Sequence, residues 1–185
     1  MVYSMLFDDS SRREWQDPEI ILAAAGLQPG MIFIDIGCGQ GFFTIPAAKI
    51  VGDRGRVYAL DINPDSTERL RNKLSGEGLH NVIINTGKAE DLVFCEECAD
   101  IVFFGIVLHD FENPLKVLKN AHSMLKKTGW LVDLDWKREP MDFGPPLQIR
   151  FNEEKAQKLV QSAGFNVQSI SPSGLYHYLI TAKPV

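Results

Sequence analysis

The chain has 185 residues, 45% of them hydrophobic and 23% charged, with a formal net charge of −5. That is about one globular domain with a full core. No Lys/Arg block favours a nucleic-acid backbone as partner, and no apolar run approaches the roughly 20 residues that cross a bilayer. With no signal-peptide pattern at the N-terminus, the expected location is cytoplasmic.

The first sixteen residues show no clean periodicity. Asp17-Pro18 then begins a helix that runs to about Ala25 and stops at Gly26, because an Asp or Asn N-cap followed by proline is a strong start signal. The same device recurs at Asn63-Pro64 and Asn113-Pro114. Leu27-Gln-Pro-Gly30 turns into a buried strand over 31–36, and three alternating glycines follow at Gly37, Gly39 and Gly41. Phe42 to Val51 reads as the next helix, closed by Gly52. Arg56–Leu60 is a strand ending at Asp61, Pro64 to about Ser75 a helix, and Val82–Thr86 a third strand. Cys95-Glu-Glu-Cys98 is a single C-x-x-C without a second pair or a nearby histidine, and reads as a plain loop rather than a redox pair or a zinc site. An odd number of cysteines argues against a disulfide framework.

Ala99–Phe104 is a fourth strand, apolar throughout as burial on both faces requires. Leu115, Leu118, Ala121 and Leu125 share a helical face closed by Gly129. Trp130–Asp135 is a fifth strand, after which 136–151 is irregular. A helix capped by Asn152 carries Ala156, Leu159, Val160 and Ala163 and ends at Gly164. Val167–Ser171 and Tyr176–Ala182 are joined too tightly for a crossover helix, so they are antiparallel. Five rounds of strand and helix followed by a hairpin specify a doubly wound, Rossmann-like α/β sheet, mainly parallel, in a single domain over 1–185. Its ligand site lies at the carboxyl ends of the strands: Asp35 and the glycine loop, Asp61, the Gly87–Glu90 stretch, Gly105 onward, and Asp135-Trp136.

A dinucleotide loop wants G-x-G-x-x-G, but here the third glycine arrives one residue early, at Gly41, and Phe42 takes its place. A bulky Phe42 and the carboxylate of Asp35 are awkward for a pyrophosphate and suit a ligand with positive charge. Asp61 can accept hydrogen bonds from both hydroxyls of a ribose.

Asp35-Ile-Gly-Cys-Gly-Gln-Gly41, Asp61 and Gly87-Lys-Ala-Glu-Asp-Leu92 resemble the class I S-adenosylmethionine-dependent methyltransferases. Leu108-His-Asp-Phe111, Leu125-Lys-Lys-Thr-Gly129 and Ala163-Gly-Phe165 continue the likeness, which covers about 17–183 and is greatest to the small generic and ubiquinone/menaquinone-type branches. The resemblance implies a seven-stranded sheet with the last strand antiparallel, and S-adenosyl-L-methionine as methyl donor. It implies that Gly37, Cys38, Gly39 and Gly41 line the methionine and ribose, with Asp35 near the ammonium. Asp61 would hold the ribose, Ile62 pack on the adenine, and Ala89 offer its N–H to the ring. Gly105 and Ile106 would face the methionine tail. Where many relatives have an aspartate for the adenine amino group this chain has Lys88, so Glu90 or a backbone carbonyl must substitute.

The implied chemistry is an in-line displacement in which an acceptor lone pair takes the sulfonium methyl. It needs positioning more than covalent help, and a base only if the acceptor loses a proton. His109 is the candidate for base or acceptor-orienting group, beside the alternative of a hydrogen-bonded histidine opening a helix. No metal is implied. Trp136 either stacks on an acceptor or covers the strand end; Tyr3, Trp15, Tyr176 and His177 either reach the same rim or, the favoured reading, are ordinary surface and core aromatics. The acceptor is unidentified, a small molecule being favoured over nucleic acid. The short 136–151 gap leaves that side open, so either the acceptor is large, or residues 1–16 or a partner subunit in a homo-oligomer supply a lid. Two other readings stand beside this one: a binding protein that keeps the pocket without catalysis, and a nicotinamide-dependent oxidoreductase, which the glycine spacing opposes.

Overall fold

Asp17, Asn63, Asn113 and Asn152 each accept a hydrogen bond from a backbone N–H of the turn that follows, at 2.9 to 3.2 Å, so four helices start where their capping side chains dictate. The computed structural model describes residues 9–185. Its helices are α1 (Asp9–Arg13), α2 (Pro18–Ala24), α3 (Thr44–Val51), α4 (Pro64–Gly76), α5 (Pro114–Met124) and α6 (Glu153–Ser162). The strands are β1 (Ile32–Ile36), β2 (Arg56–Asp61), β3 (Val82–Thr86), β4 (Ala99–Gly105), β5 (Leu125–Trp136), β6 (Phe165–Ser173) and β7 (His177–Pro184).

The seven strands form one sheet in the order β3-β2-β1-β4-β5-β7-β6. The first five are parallel, and β7 runs antiparallel to both β5 and β6, as the tight final connection requires. Strand alternation splits the core between two faces. Phe33, Val57, Phe103 and Val132 pack with α2 and α3, whereas Ile34, Val102, Phe104 and Ile180 pack with α5 and α6. The chain winds outward from β1 to β3 and then crosses to β4, so the loops after β1 and β4 diverge at a topological switch point, where this class of sheet binds ligands.

Four local expectations need correction. The stretch before Asp17 contains α1, a five-residue helix too short to show a period. Helix α3 begins at Thr44 instead of Phe42, because Phe42 and Phe43 are both buried in the turn ahead of it. Helix α5 ends at Met124 rather than running on to Gly129. Leu125 already pairs with Ala99, Lys126 Nζ is held by Asp100 at 2.6 Å, and a side chain at Gly129 would strike the Ala99 carbonyl at 2.8 Å. Finally, Cys95 and Cys98 are joined as a disulfide. Glu97 in the left-handed region and bonds from the Glu97 and Cys98 N–H groups to Ser123 and Met124 carbonyls close the turn that brings the sulfurs together.

Candidate functional site

The three glycines of the loop do different jobs. A Cβ at Gly37 would meet Val107, in the loop after β4, at 2.6 Å, and one at Gly41 would collide with Leu70 of α4. These two glycines let the surrounding protein close up. Gly39, at φ +52, would meet nothing within 4 Å, so its face is the one open to a ligand. The Cys38 side chain is buried beside Ala59, Leu70 and Leu74; burial, with Asp35 and Asp61 nearby, pushes its thiol pKa up. Only the backbone of Cys38 belongs to the loop surface.

Asp61, at the end of β2, ties the loop down: its two carboxylate oxygens accept from the N–H groups of Gly39 at 2.7 Å and Asn63 at 2.9 Å. Each oxygen keeps a second lone pair for another donor. Ile62 beside it is 63% exposed, an apolar side chain free to pack on a flat ring. Asp35 is 2% exposed and accepts from the Thr44 hydroxyl at 2.6 Å. Burial pushes its pKa up to about 7, against the Thr44 bond and the charge of Arg12, and with a smaller push from Asp61. A buried carboxyl so perturbed gains most from a cation placed against it.

After β3, the Lys88 ammonium pairs with Glu112 at 3.0 Å. The Glu90 carboxylate accepts from the N–H of Asn113 at 3.2 Å, and Asn120 bridges the carbonyls of Ala89 and Glu90 at 2.9 and 3.0 Å. After β4, Gly105 lies under the Phe43 ring, which a Cβ would approach to 2.8 Å. Ile106 has φ +57, a conformation that costs a β-branched residue on the order of 1–3 kcal/mol and clusters at functional sites. Its N–H is pinned by the Leu134 carbonyl at 2.6 Å.

His109 Nδ1 donates to Asp135 at the end of β5, at 2.7 and 3.0 Å to its two oxygens, and both residues are buried. Burial opposes the charged imidazolium, but the Asp135 bond and charge, helped by Asp110, outweigh it and the His109 pKa rises. Beside this pair Trp136, Trp15, Phe143, Tyr176 and His177 form one aromatic cluster. Trp15 stacks on His177 at 5.6 Å and 15° and lies 5.7 Å from Trp136; Phe143 is 4.7 Å from Tyr176. Trp136, Trp15, Tyr176 and His177 therefore pack as one aromatic cluster in which Trp136 and His177 are buried; Tyr3 lies outside the described residues.

Thr44, Arg12 and Arg150 were not identified from sequence. Buried Arg150 donates to the carbonyls of Pro145, Glu139, Phe143 and Lys137 at 2.7, 3.1, 3.0 and 3.4 Å and lies 5.4 Å from the Trp136 ring. It holds the irregular 137–147 segment in shape. Nothing in its local sequence marks it, because all four acceptors are main-chain groups.

A family model described as a methyltransferase domain matches residues 27–169. The demethylmenaquinone methyltransferase of Geobacillus stearothermophilus is 32% identical over 135 residues, 73% of this chain and 57% of that protein. The ubiquinone/menaquinone biosynthesis C-methyltransferase of Vibrio campbellii is 29% identical over 138 residues, 74% of this chain and 52% of that protein. The chain thus spans about half the length of the curated relatives it matches. The crystal structure of a SAM dependent methyltransferase from Aquifex aeolicus superposes with a TM-score of 0.90 at 30% identity, covering 97% of this chain and 100% of that one.

Proposed function

The chain belongs to the methyltransferase domain family, and from that premise we propose that it transfers a methyl group from S-adenosylmethionine to a small-molecule acceptor. The observation that carries the reading is the glycine loop tied through Gly39 to Asp61, with the buried Asp35 carboxyl, its pKa pushed up by burial, at its root. That set suits a ribose and a cationic amino-acid end better than a pyrophosphate. In this reading the open face at Gly39 and the backbone of Gly37, Cys38 and Gly41 take the methionine and ribose. Asp61 holds the ribose hydroxyls, Ile62 lies on the adenine, and Ala89 and Glu90 border the ring. Asp35 meets the ammonium, and Gly105 and Ile106 wall the methionine tail. The bound donor supplies a sulfonium methyl, which an acceptor lone pair takes in line; the protein aligns the two and keeps water out.

The acceptor side is the β5 end, where Asp135 holds His109 and is followed in the chain by Trp136 of the aromatic cluster. A rim of Trp136, Trp15, Phe143, Tyr176 and His177 favours an aromatic small molecule, in keeping with the quinone-pathway names of the relatives. No helix of the described residues is long and apolar enough to cross a membrane; a cytoplasmic enzyme is the reading we adopt. Titration calorimetry tests the donor: S-adenosylhomocysteine binds and NADH does not. Methyl transfer from labelled donor into a panel of phenolic and quinol-type metabolites then tests the reaction. Firm donor-product binding with no transfer to any metabolite or cell extract would support a binding protein instead.

A further inference from the structure

We propose that the Cys95–Cys98 disulfide is a redox site: a dithiol opens it, and the opened form holds the methyl donor less tightly. The effect on the donor rests on the methyl-donor reading above; the opening of the disulfide does not. Both cysteines are half-buried, and Glu96 and Glu97 between them are exposed, which leaves the turn open to a reductant. The third cysteine, Cys38, lies buried among Ala59, Leu70 and Leu74. Burial pushes its thiol pKa up, so it does not compete as a nucleophile. The step is a thiol–disulfide exchange. One sulfur of the dithiol, as thiolate, attacks a sulfur of the pair, and the protein's S–S bond breaks as a mixed disulfide forms. The second thiol of the dithiol then displaces the protein sulfur and closes the reductant's own disulfide. Two electrons and two protons end on Cys95 and Cys98.

The pair closes the second half of the connection between β3 and β4, residues 87–98, whose first half borders the donor's adenine in the proposed reading. That connection carries one short turn of helix, at Ala89–Asp91, and is otherwise held from outside. At its start the Gly87 N–H donates to the Asp61 carbonyl at 3.0 Å, and Asn120 of α5 holds the Ala89 and Glu90 carbonyls. Near its end the Phe94 N–H donates to Met124 Sδ at 3.3 Å. The Glu97 and Cys98 N–H groups donate to the Ser123 and Met124 carbonyls, both at 2.9 Å. Helix α5 therefore grips both halves. Phe94 also packs on Tyr58 of β2, with 5.1 Å between ring centres, three residues before Asp61. Glu97 sits at φ +46, a conformation that side chains disfavour and that the crosslink around it helps to hold. Once the crosslink opens, the turn is free to leave that conformation and its bonds to the end of α5 loosen. The loss passes along α5 and residues 92–94 to Ala89 and Glu90.

The test poises the full chain in dithiothreitol redox buffers, locates free thiols by alkylation and mass analysis, and measures S-adenosylhomocysteine affinity by calorimetry in each state. The pair should open in the native protein, with one alkyl group gained at each of Cys95 and Cys98. Affinity should then fall about fivefold or more, the lower end of coupling between sites. Because coupling is reciprocal, saturating S-adenosylhomocysteine should raise the midpoint ratio of reduced to oxidised dithiothreitol by the same factor. A Cys95→Ser/Cys98→Ser variant should bind as the reduced protein does and ignore dithiothreitol. A pair that opens only after denaturation would be a structural crosslink and would overturn the redox site. Equal affinity in the two states, or an unmoved midpoint, would overturn its link to the donor. So would a dithiothreitol response that survives in the double variant, since it would come from Cys38. An oxidised protein that opens normally but fails to bind S-adenosylhomocysteine would overturn the methyl-donor reading and leave the redox site standing.

Discussion

Replacing Asp61 with alanine removes the acceptor for two backbone N–H groups, those of Gly39 and Asn63. A bond to a charged acceptor contributes about 1.5–3 kcal/mol net where it is shielded. Asp61 is only half-buried, so the two together should cost about 2 kcal/mol of folding stability. On the ligand side the same change deletes the ribose clamp and frees Gly39, the residue on the open face of the loop. The expected loss of affinity for S-adenosylhomocysteine is at least tenfold, about 1.4 kcal/mol. Asp61→Asn separates the two effects. Its amide oxygen can still accept from Gly39, so stability should fall by about half as much, while its nitrogen cannot accept from a hydroxyl, so affinity should still drop. Urea unfolding and titration calorimetry on both variants give the four numbers. If Asp61→Ala loses stability but binds S-adenosylhomocysteine as before, Asp61 is a loop tie and the ribose assignment is wrong.

Three further outcomes follow from the buried polar groups. Burial, reinforced by Arg12, Lys137 and Arg150, lowers the His177 pKa to about 3 from an ordinary value near 6.5. The unfolded chain therefore takes up a proton between those values while the folded protein does not, and stability falls as pH drops below about 6.5, by up to ~1.4 kcal/mol per unit. His177→Asn should flatten the acid limb of urea midpoints measured from pH 4.5 to 6.5; an unchanged slope would assign the acid sensitivity elsewhere. Arg150→Met strips four carbonyls of their donor and should cost about 3 kcal/mol by urea unfolding; a loss under about 1 kcal/mol would mean that the 137–147 segment holds its shape unaided. Asp135→Asn removes the charge that holds the His109 proton while leaving the ring buried, so the His109 pKa, followed by NMR of the imidazole C–H, should fall. A rise or no change would mean that Asp135 does not control it.

The architecture was legible because its signals are local. Asx-Pro pairs at 17, 63 and 113 mark three helix starts, apolar runs at 31–36 and 99–104 mark the central strands, and the three-residue link after Ser173 forces the terminal hairpin. Asp35, Asp61 and the glycine loop were legible for the same reason, since each ends an apolar run. What was not legible depends on contacts between distant segments. Gly37 and Gly41 looked like open backbone, yet they answer to Val107 and Leu70, which only the fold brings near. Arg12 and Trp15 sit in a stretch without period and acquire meaning by packing on Phe42 and His177. Met124 ends α5 because Leu125 finds Ala99 across the sheet, and no helical pattern could announce a partner 26 residues upstream.

The buried charges at the acceptor end also narrow what His109 can do. Asp133 and Asp135 lie two apart on one face of β5, and both are fully buried. Neither oxygen of Asp133 has a hydrogen-bond partner among the described residues, and burial, with the charge of Asp135, pushes its pKa well up. Asp133 is therefore the neutral acid of the two, since two adjacent buried carboxylates cannot both ionise cheaply. That leaves Asp135 as the anion and His109 as its partner, holding a proton more firmly than a free imidazole. With Nδ1 committed to Asp135, Nε2 is the ring nitrogen left to meet an acceptor, donating a hydrogen bond when protonated and accepting one when neutral. An acceptor oxygen oriented by His109 would therefore meet it at Nε2.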